Sequence, residues 1–186
     1  TSLVGSEMCI RDRVMIALVL HVQENLGLDA RAYGLILAAG ALGGIAGGWW
    51  GDAIITRLGP KRAAQWMLLA SFPAFLGIAY APGPIALALV LAAFEFTGLV
   101  WNTVSVSYRQ RKIPDVLLGR VNSLYRLLAW GMMPIGLLLS GLIVRVADGA
   151  MARDAALTAP FVVASLGALT LAIAGWRALD RGFEAS

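Results

Sequence analysis

Apolar positions in this chain fall into long runs, and polar positions into short turns between them. The runs cover residues 33–55, 63–80, 85–107, 124–144 and 159–176. Each is close to the ~20 mostly apolar residues that an α-helix needs to cross a bilayer. A shorter run, 14–22, stops at Gln23 and Glu24; it is too short to span and reads as the distal end of another helix. The breaks carry turn residues: Gly59-Pro60, Pro82-Gly83-Pro84, a basic linker at 109–120 that holds Pro114, and a polar connection at 145–158. Pro73 and Pro134 lie inside runs, which membrane helices tolerate because their neighbours satisfy the freed carbonyls. A water-soluble bundle would show a polar stripe at every third or fourth position. Residues 34–51 hold no charged residue and no such stripe. The pattern predicts an all-α polytopic membrane bundle of five complete helices and the tail of a sixth.

Composition agrees with the pattern. The 186 residues are 59% hydrophobic and 14% charged, where soluble domains hold about 45–50% and about 25%. The net charge of +4 does not point to nucleic acid, because the basic residues sit in short loops and form no arm or face. They do set an orientation, since lysine and arginine gather in cytoplasmic loops. With the runs alternating in direction, one side receives Arg57, Lys61, Arg62, Arg109, Arg111, Lys112, Arg120, Arg126, Arg177 and Arg181. The other receives only Arg31, Arg145 and Arg153. Ten against three places the C-terminus, including the short tail 182–186, in the cytoplasm of a bacterial-type inner membrane. Cys9 and His21 are each the sole residue of their kind, so no disulfide framework and no multi-histidine metal site is expected, and no cofactor.

Residues 1–13, TSLVGSEMCIRDR, match nothing downstream. Ten of them, from Leu3 to Asp12, resemble a transposase sequencing adapter read in frame, codon by codon. A processing scar is set aside in reasoning about fold. The expectation is therefore a leader at 1–13 that is no part of the fold, with the protein's own sequence under way by Val14.

The linker and the residues after it read Tyr108-Arg109-Gln110-Arg111-Lys112-Ile113-Pro114-Asp115, then Gly119-Arg120-Val121-Asn122. This resembles the junction between helices ten and eleven in major facilitator exporters of the enterobactin-exporter and macrolide-efflux type. The turn from Arg57 to Arg62, preceded by Gly47, Gly48 and Asp52, is similar to the second copy of that superfamily's loop motif. Asp52 lies farther from the basic turn than the usual motif spacing. The resemblance covers residues 14–181. It implies the C-terminal six-helix half of the fold with its first helix truncated, paired with an N-terminal half. Substrate then binds between the halves near the bilayer midplane. It also implies a proton-coupled exporter of a small molecule working by alternating access. Arg57, Arg62, Asp52, Arg109, Arg111, Asp115, Arg120 and Arg126 would then form a cytoplasmic gate or loop motif.

Glu95 is the one acid in the middle of a run. A carboxylate in hydrocarbon is costly, so it is expected to face a cavity or a partner, and such acids mark substrate or proton pathways. Glu95, Gly98, Asn102 and Ser105 share one helical face, with Trp101 beside it. A structural hydrogen bond to a neighbouring helix is the competing reading of Glu95. His21, Gln23 and Glu24 either line the mouth of a cavity or mark the water interface. Gly40, Gly44 and Gly48 repeat at four-residue spacing, as do Gly43, Gly47 and Gly51, which suits close helix packing. That packing is either against the other half or within this one. The glycine-rich stretch lacks the lysine-serine pair of a phosphate-binding loop, and no nucleophile–base pair occurs. An enzyme is not expected. The alternative to a transporter is a polytopic membrane protein without transport, either a scaffold or an intramembrane enzyme.

Overall fold

A computed structural model describes residues 15–131 and 133–184; the leader at 1–13 lies outside them. Among the described residues there are helices and turns and no strand. The order is α1 (Met15–Leu20), which runs directly into a π-helical turn (His21–Asn25), then α2 (Ala30–Leu58), α3 (Pro60–Ala79), α4 (Pro84–Lys112), α5 (Asp115–Gly131), α6 (Met133–Asp148) and α7 (Arg153–Glu184).

Local chemistry sets the helix ends. Asp29 is extended, and its Oδ1 accepts from the Ala32 N–H at 2.9 Å, capping α2. Gly59 both ends α2 and starts α3. Its φ of +80° is a conformation that side-chain-bearing residues avoid. Its N–H donates to the Ile55 carbonyl and its carbonyl accepts from Ala63, so one residue serves two helices. Pro60 follows at the first position of α3, where a missing N–H costs nothing.

Two sequence expectations are corrected. The basic linker shrinks to Ile113 and Pro114: α4 continues through Lys112 and α5 starts at Asp115. Arginine and lysine are good helix formers, so loss of hydropathy did not mean loss of helix. The break falls where Pro114 disfavours helix in the residue before it. The connection expected at 145–158 is likewise short, because α6 runs to Asp148 and α7 begins at Arg153. The run 124–144 is helical in α5 and α6 at every described residue.

Among the described residues, three helical segments are long and apolar enough to cross a membrane: Ala30–Leu58, Pro84–Tyr108 and Arg153–Trp176. Of the other two expected spans, α3 opens with Lys61, Arg62 and Gln65, which dilute its apolar length, and the run 124–144 includes Met132, which lies outside the described residues.

Specific contacts give the directions. Gly40 faces Leu91, Gly47 faces Phe96 and Gly51 faces Val100, so α2 and α4 run parallel. Gln65 reaches Trp176 and Ser165 reaches Phe72, so α3 and α7 run antiparallel. The end of α2, the starts of α3 and α5 and the end of α4 therefore share one end of the bundle with the C-terminal part of α7. The basic turns collect at that end. Trp49 and Trp50 are exposed near it, and Trp66 packs edge-on against Trp176 at 6.5 Å between ring centroids. Tryptophan is enriched at membrane–water interfaces.

Buried side chains form two clusters. One joins α1, α3, α4 and α7 through Leu18, Phe75, Phe94 and Phe161, with Phe75 edge-on to Phe94 at 4.9 Å. The other, nearer the basic end, holds Ala63, Ala64, Leu68, Trp101, Val104 and Ala172. The outer surface is apolar as well. Leu42, Ile45 and Trp49 on α2, Ile85 and Leu89 on α4, and Leu138, Leu142 and Val146 on α6 are all exposed. Contiguous apolar surface on this scale is foreign to a soluble monomer and suits contact with lipid.

Candidate functional site

Three groups of residues carry the candidate chemistry, and the fold places them differently. The first is the polar strip of α4. Glu95 is half-buried at the α2–α4 seam: a Cβ built on Gly40 would lie 3.6 Å from its Cγ. Gly98 and Asn102 continue the strip, also half-buried. Ser105 and Trp101 are buried, and Trp101 packs among residues of α3 and α7. The strip is thus divided: Glu95 lies toward α2 and Trp101 toward α3. The exposed residues Ile85 and Leu89 lie elsewhere on α4. The indole Nε1 of Trp101 is buried without a hydrogen-bond partner among the described residues.

Glycine is what allows α2 to come this close. A Cβ on Gly43 would overlap the Ala92 carbonyl, and one on Gly47 would come within 2.8 Å of the Phe96 carbonyl oxygen. Real Cβ atoms do not approach backbone so closely. On Gly40 it would meet the Leu91 side chain at 3.1 Å, and on Gly48 it would meet Leu99 at 3.3 Å. Gly44 has nothing within 4 Å. The seam therefore runs along Gly40, Gly43, Gly47 and Gly51, with Gly48 at its margin and Gly44 off it. Its partner is α4 of this same chain.

The second group sits at the end of α1, in the π turn. Such turns, single and short, often mark functional positions. His21 is buried, with its ring 5.6 Å from that of Phe161 on α7. Asn25 Nδ2 donates to the Asp154 carbonyl at 2.9 Å and lies 3.0 Å from His21 Nδ1. Next to it, Arg153 Nε and Nη2 donate to the two Glu24 oxygens at 2.9 and 3.2 Å. Arg153 Nη1 also lies 3.2 Å from Asp148 Oδ2. The Arg153 guanidinium holds the Glu24 carboxyl below its usual range, its hydrogen bonds outweighing the small effect of desolvation. Gln23 is exposed and joins none of these bonds. The sequence pointed to His21 and Glu24 but not to Asn25, Asp148, Arg153 or Phe161. A polar connection rich in charge was the only signal for Asp148 and Arg153.

The third group is the basic end. Asp52, Arg57, Arg62, Arg111, Arg120 and Arg126 are exposed and form no ion pair with one another among the described residues. Asp52 contributes its backbone carbonyl to the Thr56 hydroxyl at 2.8 Å. The side chains of Arg109 and Asp115 lie outside the described residues.

Comparison with family models, with curated proteins and with solved structures finds no match for this chain.

Proposed function

We propose that the chain is the C-terminal half of a major facilitator-type secondary transporter, one that exports a small molecule in exchange for protons by alternating access. In this reading α1 is the end of helix seven, α2, α3 and α4 are helices eight to ten, α5 with α6 is helix eleven, and α7 is helix twelve. The missing partner is an N-terminal six-helix half, and the membrane is a bacterial-type inner membrane with the basic end in the cytoplasm.

The observation that carries the reading is Glu95. It is an acid in the middle of a long apolar helix, half-buried at a glycine-lined seam and continued by Gly98 and Asn102. Intramembrane acids of this kind serve as proton or substrate groups by default. In the proposed cycle Glu95 takes up a proton from one side and releases it to the other. Gly98 and Asn102 line its approach, while Trp101 and Ser105 brace the strip from behind. The exposed basic side chains at the cytoplasmic end would make and break ion pairs with the other half as access alternates.

The test uses the full-length protein in proteoliposomes. Glu95→Gln is expected to abolish efflux coupled to a proton gradient while the protein still inserts and folds. Efflux with normal proton release in Glu95→Gln would overturn the reading. An uninterrupted reading frame upstream of Val14 in the source DNA, encoding about six more apolar runs, is expected as well.

A further inference from the structure

His21 is the only histidine in the chain, and the hydrogen bonds around it fix which ring nitrogen is bare. The Asp154 carbonyl can only accept, so the Asn25 amide must turn its NH₂ group toward it. The same nitrogen faces His21 Nδ1 at 3.0 Å. With both amide hydrogens committed, Nδ1 must be the acceptor, and the ring proton belongs on Nε2. That assignment follows from the hydrogen-bond network. Nε2 is buried, and among the described residues no acceptor stands in hydrogen-bond geometry with it.

We infer that Asn25 and His21 form a proton-released latch between the end of α1 and the start of α7. A proton added at Nδ1 puts an N–H opposite the Asn25 NH₂ group. The amide then has two choices. It keeps its bond to Asp154 and faces a donor, or it flips and sets its own oxygen against the Asp154 carbonyl. Either way one of the two bonds is lost, next to an imidazole that is itself buried. The latch joins segments 129 residues apart in sequence, so its release loosens the π turn on α7, while the Glu24–Arg153 pair still ties the two.

The charged groups around the imidazole are few. Glu24 lies on its own turn, Asp148 and Arg145 end α6, and Arg153 and Asp154 open α7. On the α2 side stand Asp29, Arg31 and Tyr33, whereas α3 presents Ile78 and no charge at this end. Arg153 lowers the Glu24 pKa from its ordinary value of 4.5, so Glu24 is not what changes in the range where an ordinary histidine titrates, near pH ~6.5. The latch is separate from the Glu95 reading and stands or falls without it.

The test is hydrogen exchange in lipid nanodiscs at about pH 8 and about pH 5, either side of the histidine range, corrected for intrinsic exchange. Residues 22–26 and 154–158 are followed. Protection of these amides in the unaltered chain is expected to fall about tenfold in acid. His21→Gln should remove the acid response, Asn25→Ala should give low protection at both pH values, and Glu24→Gln should keep the response. An unaltered chain with equal protection at both pH values, or His21→Gln with a full response, overturns the latch. Selective ¹⁵N labelling of the one histidine gives a second reading that needs no variant. Nδ1 is expected bare at about pH 8, gaining its proton as protection falls. A proton already on Nδ1 at that pH overturns the proposal.

Discussion

Along the α2–α4 seam, two parallel helices touch through glycines, and backbone meets backbone. Along the α3–α7 seam, two antiparallel helices stand apart far enough for side chains to reach across. There, Ser165 Oγ donates to the Phe72 carbonyl at 3.1 Å, Gln65 Nε2 donates to the Trp176 carbonyl at 3.4 Å, and Trp66 packs on Trp176. The first seam depends on what is absent from the side chains, the second on what is present. Helices in lipid gain little from the hydrophobic effect between themselves, so close packing and interhelical hydrogen bonds are the two means left. This bundle uses one on each side of α4 and α3. The half-buried acid lies beside the glycine seam, its Cγ 3.6 Å from where a Cβ on Gly40 would stand.

The comparison breaks most sharply at Gly43. Gly43→Ala forces a methyl onto the Ala92 carbonyl, and backbone cannot swing aside as a side chain can. It is expected to destabilise the bundle by about 3 kcal/mol, at the upper end of ordinary overpacking. The loss should appear as a fall in helical content at lower SDS fraction in mixed micelles. Gly44→Ala, one residue on, meets nothing within 4 Å. It is expected to be neutral or to gain about 0.5–1 kcal/mol of helix propensity in the same titration. Equal loss at both positions would mean that the seam does not run where the glycine contacts put it.

On the other seam the effect is smaller. Ser165→Ala removes one interhelical hydrogen bond, and such bonds in membranes average about 0.6 kcal/mol. A loss as large as that of Gly43→Ala would erase the distinction between the two seams. The smallest effect belongs to the exposed clamp at the end of α1. Arg153 lowers the folded-state pKa of Glu24 from its ordinary value of 4.5. The contribution is therefore complete above that value and is lost as pH falls through the lowered one. Arg153→Met is expected to remove this acid-side dependence from a pH series of unfolding midpoints, its small loss present at neutral pH and vanishing in acid.

The helices themselves were legible as apolar runs, because lipid demands long uninterrupted ones. Their ends were less so. Hydropathy reports where a bilayer stops and not where a helix stops, so the helical arginines at the end of α4 read as linker. The two glycine ladders have the same period and lie side by side on α2. Sequence alone could not say that Gly43 meets backbone while Gly44 meets nothing. Glu95 stood out because an acid within an apolar run is conspicuous by itself. The clamp did not, since Glu24 and Arg153 are 129 residues apart and each looks like an ordinary interfacial charge until α1 and α7 are brought together.

In the proposed topology the apolar helices cross a bilayer with their basic end in the cytoplasm. Arg57 and Tyr80 are exposed, at opposite ends of the α2–α3–α4 path. With Cys9 replaced by serine, Arg57→Cys and Tyr80→Cys place single thiols there for a membrane-impermeant maleimide applied to intact cells. Labelling is expected at position 80, with protection at position 57 until the cells are opened. Labelling at 57 in intact cells, or both positions behaving alike, would contradict it.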